Sequence, residues 1–190
     1  MRLFKNVDIC DLESILVKGI LSLDASGNDK WDDGNRANNA TDKVYLFCPE
    51  NRGDVFPQYG AALVECETRA DRNEMTEYDS NRGKYEEYVN DYVSPDEIVA
   101  IYVPEGFMRF VPDSVKDKVT PVKMTAKMYV RKATQYIGKY EYTFGDAPDE
   151  MIEIFYNSAP AKSADTYGYF RGVYSDNREV FDLYEVRYEI

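Results

Sequence analysis

The stretch that decides the fold is RLFKNVDICDLESILVKGILS, residues 2–22. Its opening, Arg2–Val7, predicts a short first strand. Asp8 then supplies a helix N-cap, and the apolar residues of 11–18 fall on one helical face. Gly19 stands where a helix commonly ends in a left-handed glycine. The segment therefore predicts a strand that passes directly into a short helix.

Further apolar runs predict the other strands of the N-terminal half. They are separated by the Asn-, Asp- and Gly-rich loop 24–41 and by the polar stretch 68–83, which we interpret as a loop or an exposed helix. A Ser-Pro-Asp-Glu turn at 94–97 precedes the last of them. The predicted strands are 44–48, 59–67, 85–89 and 98–103.

The C-terminal half is predicted to be rich in β-structure. Strands are expected over 122–129 and 139–144, a helix over 148–156, and a hairpin over 166–174 and 180–189 that turns at Asp176-Asn177. The predicted fold class is therefore α+β. Residues 1–105 form the core, and residues 106–190 form a β-rich half packed on it as one compact unit.

Composition excludes several classes of protein. A chain of 190 residues that is 44% hydrophobic has enough apolar surface for a sizeable core. No stretch reaches the ~18 apolar residues that span a bilayer, and charged residues follow Met1 too early for a secretory signal. A cytoplasmic protein that does not contact membranes is expected.

The chain has no histidine, which removes imidazole catalysis and His-ligated metal sites. Its three cysteines, Cys10, Cys48 and Cys66, are too widely spaced for a zinc signature, and we expect them to be reduced and buried. Chemistry must then depend on carboxylates, Lys or Arg, hydroxyl groups and a bound small molecule.

Charge is unevenly distributed. The window 107–139 holds eight basic and two acidic residues, a net charge of +6, which leaves −18 for the rest of a chain whose total is −12. Tyrosines 129, 136, 140 and 142, at and just past the end of this window, are interleaved with Lys127, Arg131, Lys132 and Lys139. Basic residues interleaved with aromatic ones are typical of nucleic-acid contact, although lysines that protect an edge strand explain the pattern equally well.

The opening 3–22 resembles the start of small ADP-ribosyltransferase-fold proteins, especially the DarT-like DNA-modifying toxins and the RNA 2′-phosphotransferases. Two further pieces occur in the order that this fold requires. Asn35-Arg36-Ala37 followed by 44–47 is similar to the NAD-contacting loop and the next strand. Residues 85–104 are similar to the strand that carries the family's catalytic glutamate and its neighbour. Together these pieces cover residues 1–105, and residues 106–190 match no family we can name.

The resemblance implies an ADP-ribosyltransferase-like split β-sheet core, with NAD as co-substrate and no metal. Glu87 becomes the candidate catalytic carboxylate, since cleavage of NAD needs an acid near the ribose. Arg36 supplies a cation for the pyrophosphate. Backbone groups near Phe4 and Lys5 would hold the carboxamide. In relatives, a histidine often occupies the position of Lys5 or Asn6. The remaining cofactor-binding candidate is Tyr45, whose ring would stack on nicotinamide.

Plainer interpretations remain open for these residues. Glu86 and Glu87 also fit a solvated pair on an edge strand, Arg36 a surface loop, and Trp31 a loop anchor. Phe4 and Trp31 are the other aromatic candidates for stacking on nicotinamide.

The leading functional prediction is an NAD-dependent ADP-ribosyltransferase of a protein or nucleic-acid acceptor, as a toxin or an anti-defence effector of a mobile element. Hydrolysis of NAD without an acceptor would use the same cleft. Nucleic-acid contact is assigned to the basic window 107–139. The alternative is an acidic binding protein that imitates DNA on a basic partner, and its motivation is the −18 outside that window.

Overall fold

The computed structural model describes residues 1–27, 40–48, 60–74, 87–132, 135–144, 171–174 and 179–190. The first strand, β1 (Arg2–Val7), leads through a 3₁₀ turn over Ile9–Asp11 into helix α1 (Leu12–Lys18). The carboxylate of Asp8 caps that turn by accepting a hydrogen bond from the Cys10 amide at 3.1 Å. The predicted strand and helix are thus confirmed, with the cap acting on the 3₁₀ turn.

Gly19 ends α1 with φ = 80°, and its conformation is needed for packing as well as for the turn. A Cβ at this position would lie 2.1 Å from the carbonyl oxygen of Val93. That close approach joins β2 (Ile20–Leu21) to β7 (Tyr92–Val93) in an antiparallel pair. A one-turn helix, α2 (Leu23–Ser26), follows with Ser22 as its cap.

The main sheet has the strand order β1-β4-β8-β9, in which β4 is Ala62–Glu67, β8 is Ile98–Pro104 and β9 is Thr120–Val122. The β1–β4 and β4–β8 pairs are antiparallel, and the β8–β9 pair is parallel. Two 3₁₀ segments, Glu105–Phe110 and Lys116–Lys118, lie in the connection to β9. Residues beyond the predicted boundary at 105 thus complete the sheet that begins at residue 2.

A second, smaller sheet has the order β3-β6-β5, formed by β3 (Val44–Leu46), β6 (Tyr88–Asn90) and β5 (Asp71–Arg72). An antiparallel bridge between Phe4 and Phe47 connects it to β1, with amide-to-carbonyl hydrogen bonds of 2.9 and 3.0 Å. The two sheets therefore meet along β1 and the end of β3.

The third sheet has the order β11-β10-β13-β12 and is antiparallel throughout. Its strands are β10 (Met124–Lys132), β11 (Gln135–Phe144), β12 (Arg171–Tyr174) and β13 (Glu179–Tyr188). β11 begins four residues earlier than predicted, and the β12–β13 pair confirms the pairing of the predicted hairpin. Its turn at 176–177 and the helix predicted over 148–156 lie outside the described residues.

One hydrophobic core serves residues from both halves of the chain. Phe4, Leu12, Leu63 and Phe107 are completely buried. Met124 and Tyr188 join them from the third sheet, and the Tyr188 hydroxyl donates a hydrogen bond to the Ala61 carbonyl at 2.5 Å. Within the described ranges, no helix is long and apolar enough to cross a membrane.

Several local predictions need correction. Glu87 precedes β6 instead of lying within it, because the strand begins at Tyr88. Part of the polar stretch 68–83 is a strand, since the backbone of β5 pairs with β6 despite its charged side chains. The turn predicted at 94–97 is a 3₁₀ helix, Pro95–Glu97, whose N-terminus is capped by a capping box between Ser94 and Glu97. The α+β class itself is what the described elements show.

All three cysteines were predicted to be buried, and the structure buries one of them. Cys66 is buried in β4, and burial raises the pKa of its thiol to about 12. Cys48 is half-buried, and Cys10 is exposed because the 3₁₀ turn directs it away from the core. All three are free thiols.

Candidate active site

Lys5 lies on β1, where the main sheet meets the second, smaller sheet. Its side chain is half-buried, and its Nζ donates a hydrogen bond to the backbone carbonyl of Tyr45 at 3.1 Å. The contact spans 40 positions of sequence, and it exists because the Phe4–Phe47 bridge brings β3 alongside β1. A cation is therefore fixed at the junction of the sheets.

Glu87 is anchored through both its backbone and its side chain. Its carbonyl accepts a hydrogen bond from the Asn73 amide at 2.9 Å. Its Oε2 accepts one from the Cys48 amide at 3.3 Å. The half-buried carboxylate is consequently positioned against the end of β3, although Glu87 lies one residue outside β6.

Tyr45 provides the carbonyl that Lys5 binds and lies three residues before Cys48, which binds Glu87. It lies in the middle of β3, opposite Val89 of β6, and is half-buried. Its hydroxyl donates to the Ala40 carbonyl at 3.1 Å, which holds the ring toward the segment before β3. Three predicted site residues, Lys5, Tyr45 and Glu87, are thus gathered around one short strand.

The other predicted residues do not join this group in the described part of the chain. The Phe4 ring is completely buried against Phe47, with ring centroids 6.0 Å apart, and the Phe4 backbone amide and carbonyl are both bonded to Phe47. Buried Asn6 donates to the Gly60 carbonyl at 3.1 Å. Both residues serve packing of the fold. Arg36, Trp31 and Glu86 lie outside the described residues.

The gathered groups suit a ligand that carries both negative charge and hydroxyl groups. The backbone atoms that anchor Lys5 and Glu87 belong to Tyr45 and Cys48, three residues and hence ~10 Å apart along an extended strand. An ammonium group attracts phosphate oxygens, and a carboxylate accepts hydrogen bonds from sugar hydroxyls. Among the residues that the structure describes, no group of three His, Cys, Asp or Glu is placed to hold a metal ion.

Sequence reasoning missed a cluster of Glu65, Arg2 and Tyr102 on the main sheet, built around a buried carboxylate. Glu65 of β4 is 4% exposed, forms an ion pair with Arg2, and accepts a hydrogen bond from the Tyr102 hydroxyl at 2.7 Å. Burial and this hydrogen bond raise the pKa of Tyr102, and the carboxylate raises the pKa of Arg2. The available signal was a single charged residue inside the apolar run 61–66. Such a residue needs a partner when the strand is buried.

No protein-family model, curated protein or solved structure matches this chain. Functional conclusions therefore depend on the placement of its own residues.

Proposed function

We propose that the chain is an NAD-dependent ADP-ribosyltransferase that modifies a macromolecular acceptor, either a protein or a nucleic acid. The observation that carries the proposal is the grouping of Lys5, Tyr45 and Glu87 around β3. These residues were selected from a sequence resemblance, and they come from three separate segments of the chain. Their convergence supports a common site, because Lys5 is bonded to Tyr45 of β3 and Glu87 to Cys48 just past the end of that strand.

Glu87 has the central role in this reaction. The bond between the nicotinamide nitrogen and C1′ of the ribose breaks, and the bonding electrons leave with nicotinamide. Positive charge develops on the ribose, where a fixed carboxylate lowers the energy of the transition state. The acceptor nucleophile then bonds to C1′ and gives up its proton, for which Glu87 is a base.

Lys5 and Tyr45 hold the substrate in this proposal. The Lys5 ammonium offsets the pyrophosphate charge, with Arg36 as the second cation that the sequence resemblance assigns. The half-buried ring of Tyr45 provides a face for nicotinamide to stack on. A cytoplasmic setting belongs to the proposal, and it is supported by three free thiols, which persist in reducing compartments.

The test compares wild type with Glu87→Gln, incubated with labelled NAD and bacterial lysate. The variant keeps the shape of the side chain but loses its charge, so we expect labelling to fall at least ~100-fold. Glu105→Gln is the matched control, since Glu105 is exposed on the 3₁₀ helix after β8. Equal labelling by wild type and Glu87→Gln would remove Glu87 from the mechanism. Release of free ADP-ribose without labelling would indicate NAD hydrolysis instead of transfer.

A thermal shift distinguishes the enzyme from the binding-only alternative, a DNA-mimic-like inhibitor of a defence or nucleic-acid-processing enzyme. A ligand that binds the native state raises the melting temperature, so we expect NAD to stabilise wild type and Lys5→Gln to reduce the shift. The charge of −18 outside the basic window favours the alternative. Absence of any shift, together with a salt-sensitive 1:1 complex with a basic protein, would establish it.

A further inference from the structure

The register of the third sheet sorts its residues into two faces. Residues directly opposite each other in an antiparallel ladder belong to the same face, and successive residues alternate. Met124 pairs with both Phe144 and Tyr188, which places these three on one face. Thr125 pairs with Thr143 and Arg187 on the other. We call them the Tyr188 face and the Arg187 face.

The Tyr188 face is the inner one where the sheet meets the core. Met124 is completely buried, and Tyr188 is 5% exposed and bonded to Ala61. Arg187, one position away, is exposed. The sequence agrees with this assignment, since Met128, Val130, Tyr142 and Phe181 follow on the Tyr188 face. At this end of the sheet, the Arg187 face is therefore the one opposite the core.

The Arg187 face concentrates basic residues and tyrosines from four strands. Five basic residues share it with two acidic ones, Glu141 and Asp182, in a chain whose total charge is −12. Three tyrosines, Tyr129, Tyr136 and Tyr184, belong to the same face. Its basic members are Lys127 and Arg131 of β10, Lys139 of β11, Arg171 of β12 and Arg187 of β13.

We infer that the Arg187 face binds single-stranded nucleic acid. The net positive charge of this face complements a phosphate backbone, although the net charge of the whole chain is negative. Tyrosine rings are the residue type on which unpaired bases stack, and every base has a face to stack. Four strands spaced by ~4.8 Å give a surface ~14 Å wide, and nine residues of strand give ~30 Å of length. That area accommodates about four or more nucleotides.

The register makes this surface different from the basic window 107–139. Lys132 of that window belongs to the Tyr188 face, as do Tyr140 and Tyr142 just beyond it, whereas Arg171, Tyr184 and Arg187 join the Arg187 face from outside the window. The surface also lies outside residues 1–105, on which the proposed enzymatic function depends. Binding is assayed without NAD, so failure of either proposal leaves the other standing.

The experiment measures fluorescence anisotropy of labelled 20-nucleotide single-stranded DNA, single-stranded RNA and a DNA duplex. The test variant is Lys127→Gln with Lys139→Gln, which removes two charges from the Arg187 face. The control is Lys18→Gln with Arg69→Gln, which changes the net charge equally at two exposed basic residues outside both the third sheet and the basic window. Titrations at 50 and 200 mM salt give the salt slope. Circular dichroism verifies that each variant is folded.

We expect wild type to bind single strands and the test variant to bind about tenfold more weakly. The slope of log affinity against log salt should fall by ~1.4, or ~0.7 for each lost phosphate contact. The control should remain within about twofold of wild type. Comparison of the DNA and RNA arms identifies the preferred strand. If the test variant does not fold, Arg187→Gln replaces it, since Arg187 is exposed, with an expected loss of about threefold.

Three results would overturn the inference. The first is absence of single-strand binding by wild type at 50 mM salt. The second is equal weakening by the test and control variants, which would make net charge the only determinant. The third is binding of the duplex as tightly as the single strands, because stacking on tyrosine requires unpaired bases.

Discussion

The hydroxyl of Tyr102 donates a hydrogen bond to the buried carboxylate of Glu65 at 2.7 Å. The two residues lie on adjacent strands of the main sheet, and Arg2 pairs with the other carboxylate oxygen. A carboxylate that is 4% exposed depends on such partners, because burying an unpaired charge is costly. The cluster is therefore a requirement for the stability of the sheet.

Tyr102→Phe should lower the free energy of unfolding by ~1.5–3 kcal/mol, the usual contribution of a hydrogen bond to a charged group. Urea denaturation measures it. The control is Tyr92→Phe, since the hydroxyl of the exposed Tyr92 donates to the neutral carbonyl of Lys18 at 2.7 Å and the variant should lose ~1 kcal/mol or less. Equal losses in the two variants would contradict the role given to Glu65.

Glu97 should stabilise the fold in a pH-dependent way. Hydrogen bonds from the Thr68 hydroxyl at 2.7 Å and the Ser94 amide lower the pKa of its carboxyl. A lowered pKa gives stability that is present above the unfolded-state value of ~4.5 and lost as pH falls through the folded-state value. Unfolding free energies at pH 6 and pH 3 should therefore differ less in Glu97→Gln than in wild type. The control is Asp96→Asn, which removes a neighbouring exposed carboxyl that makes none of these hydrogen bonds.

Gly60→Ala should be severely destabilising. Gly60 has φ = 126°, and a Cβ there would lie 2.0 Å from the backbone carbonyl of Val7. The atoms that the Cβ would meet belong to the backbone, which cannot move aside as the end of a flexible side chain can. We therefore expect the free energy of unfolding to fall by more than ~3 kcal/mol, or the variant not to fold. Gly27→Ala also has positive φ, 65°, but faces open space, so it should cost only ~1–2 kcal/mol. Thermal denaturation ranks the two variants.

The three thiols should react with a disulfide reagent in order of exposure. Cys10 is exposed and should react first at pH 8, followed by half-buried Cys48. Cys66 should react only after denaturation, because it is buried and its pKa is raised to about 12. Cys10→Ser should remove the fastest phase alone. A fast phase that survives in Cys10→Ser would mean that the order is wrong.

Local sequence signals predicted those elements whose formation depends on residues close to them in sequence. The capped segment 8–19 and the β-branched strand at 98–103 contain their own start and stop signals, and the structure has both. Strand β5 could not be predicted, because Asp71 and Arg72 become a strand only by pairing with β6. The Phe4–Phe47 bridge is similarly a product of tertiary structure.

The candidate site was predictable only through resemblance. Lys5, Tyr45 and Glu87 have no distinguishing spacing, and their contacts link positions 40 and 39 residues apart. The Glu65 cluster escaped prediction for the same reason, since its partners are 63 and 37 residues away. The two faces of the third sheet depend on register shifts at 125–127 and 130–131, which no periodicity in the sequence reveals.

The bond between Tyr188 and Ala61 joins positions 127 residues apart, and it has a consequence for synthesis of the protein. While the chain emerges from the ribosome, the part of the core around Ala61 lacks the buried Tyr188 until residue 188 has left the exit tunnel. The first half of the nascent chain therefore exposes apolar surface during that time. Chaperone engagement during translation should accordingly persist until that last tyrosine arrives.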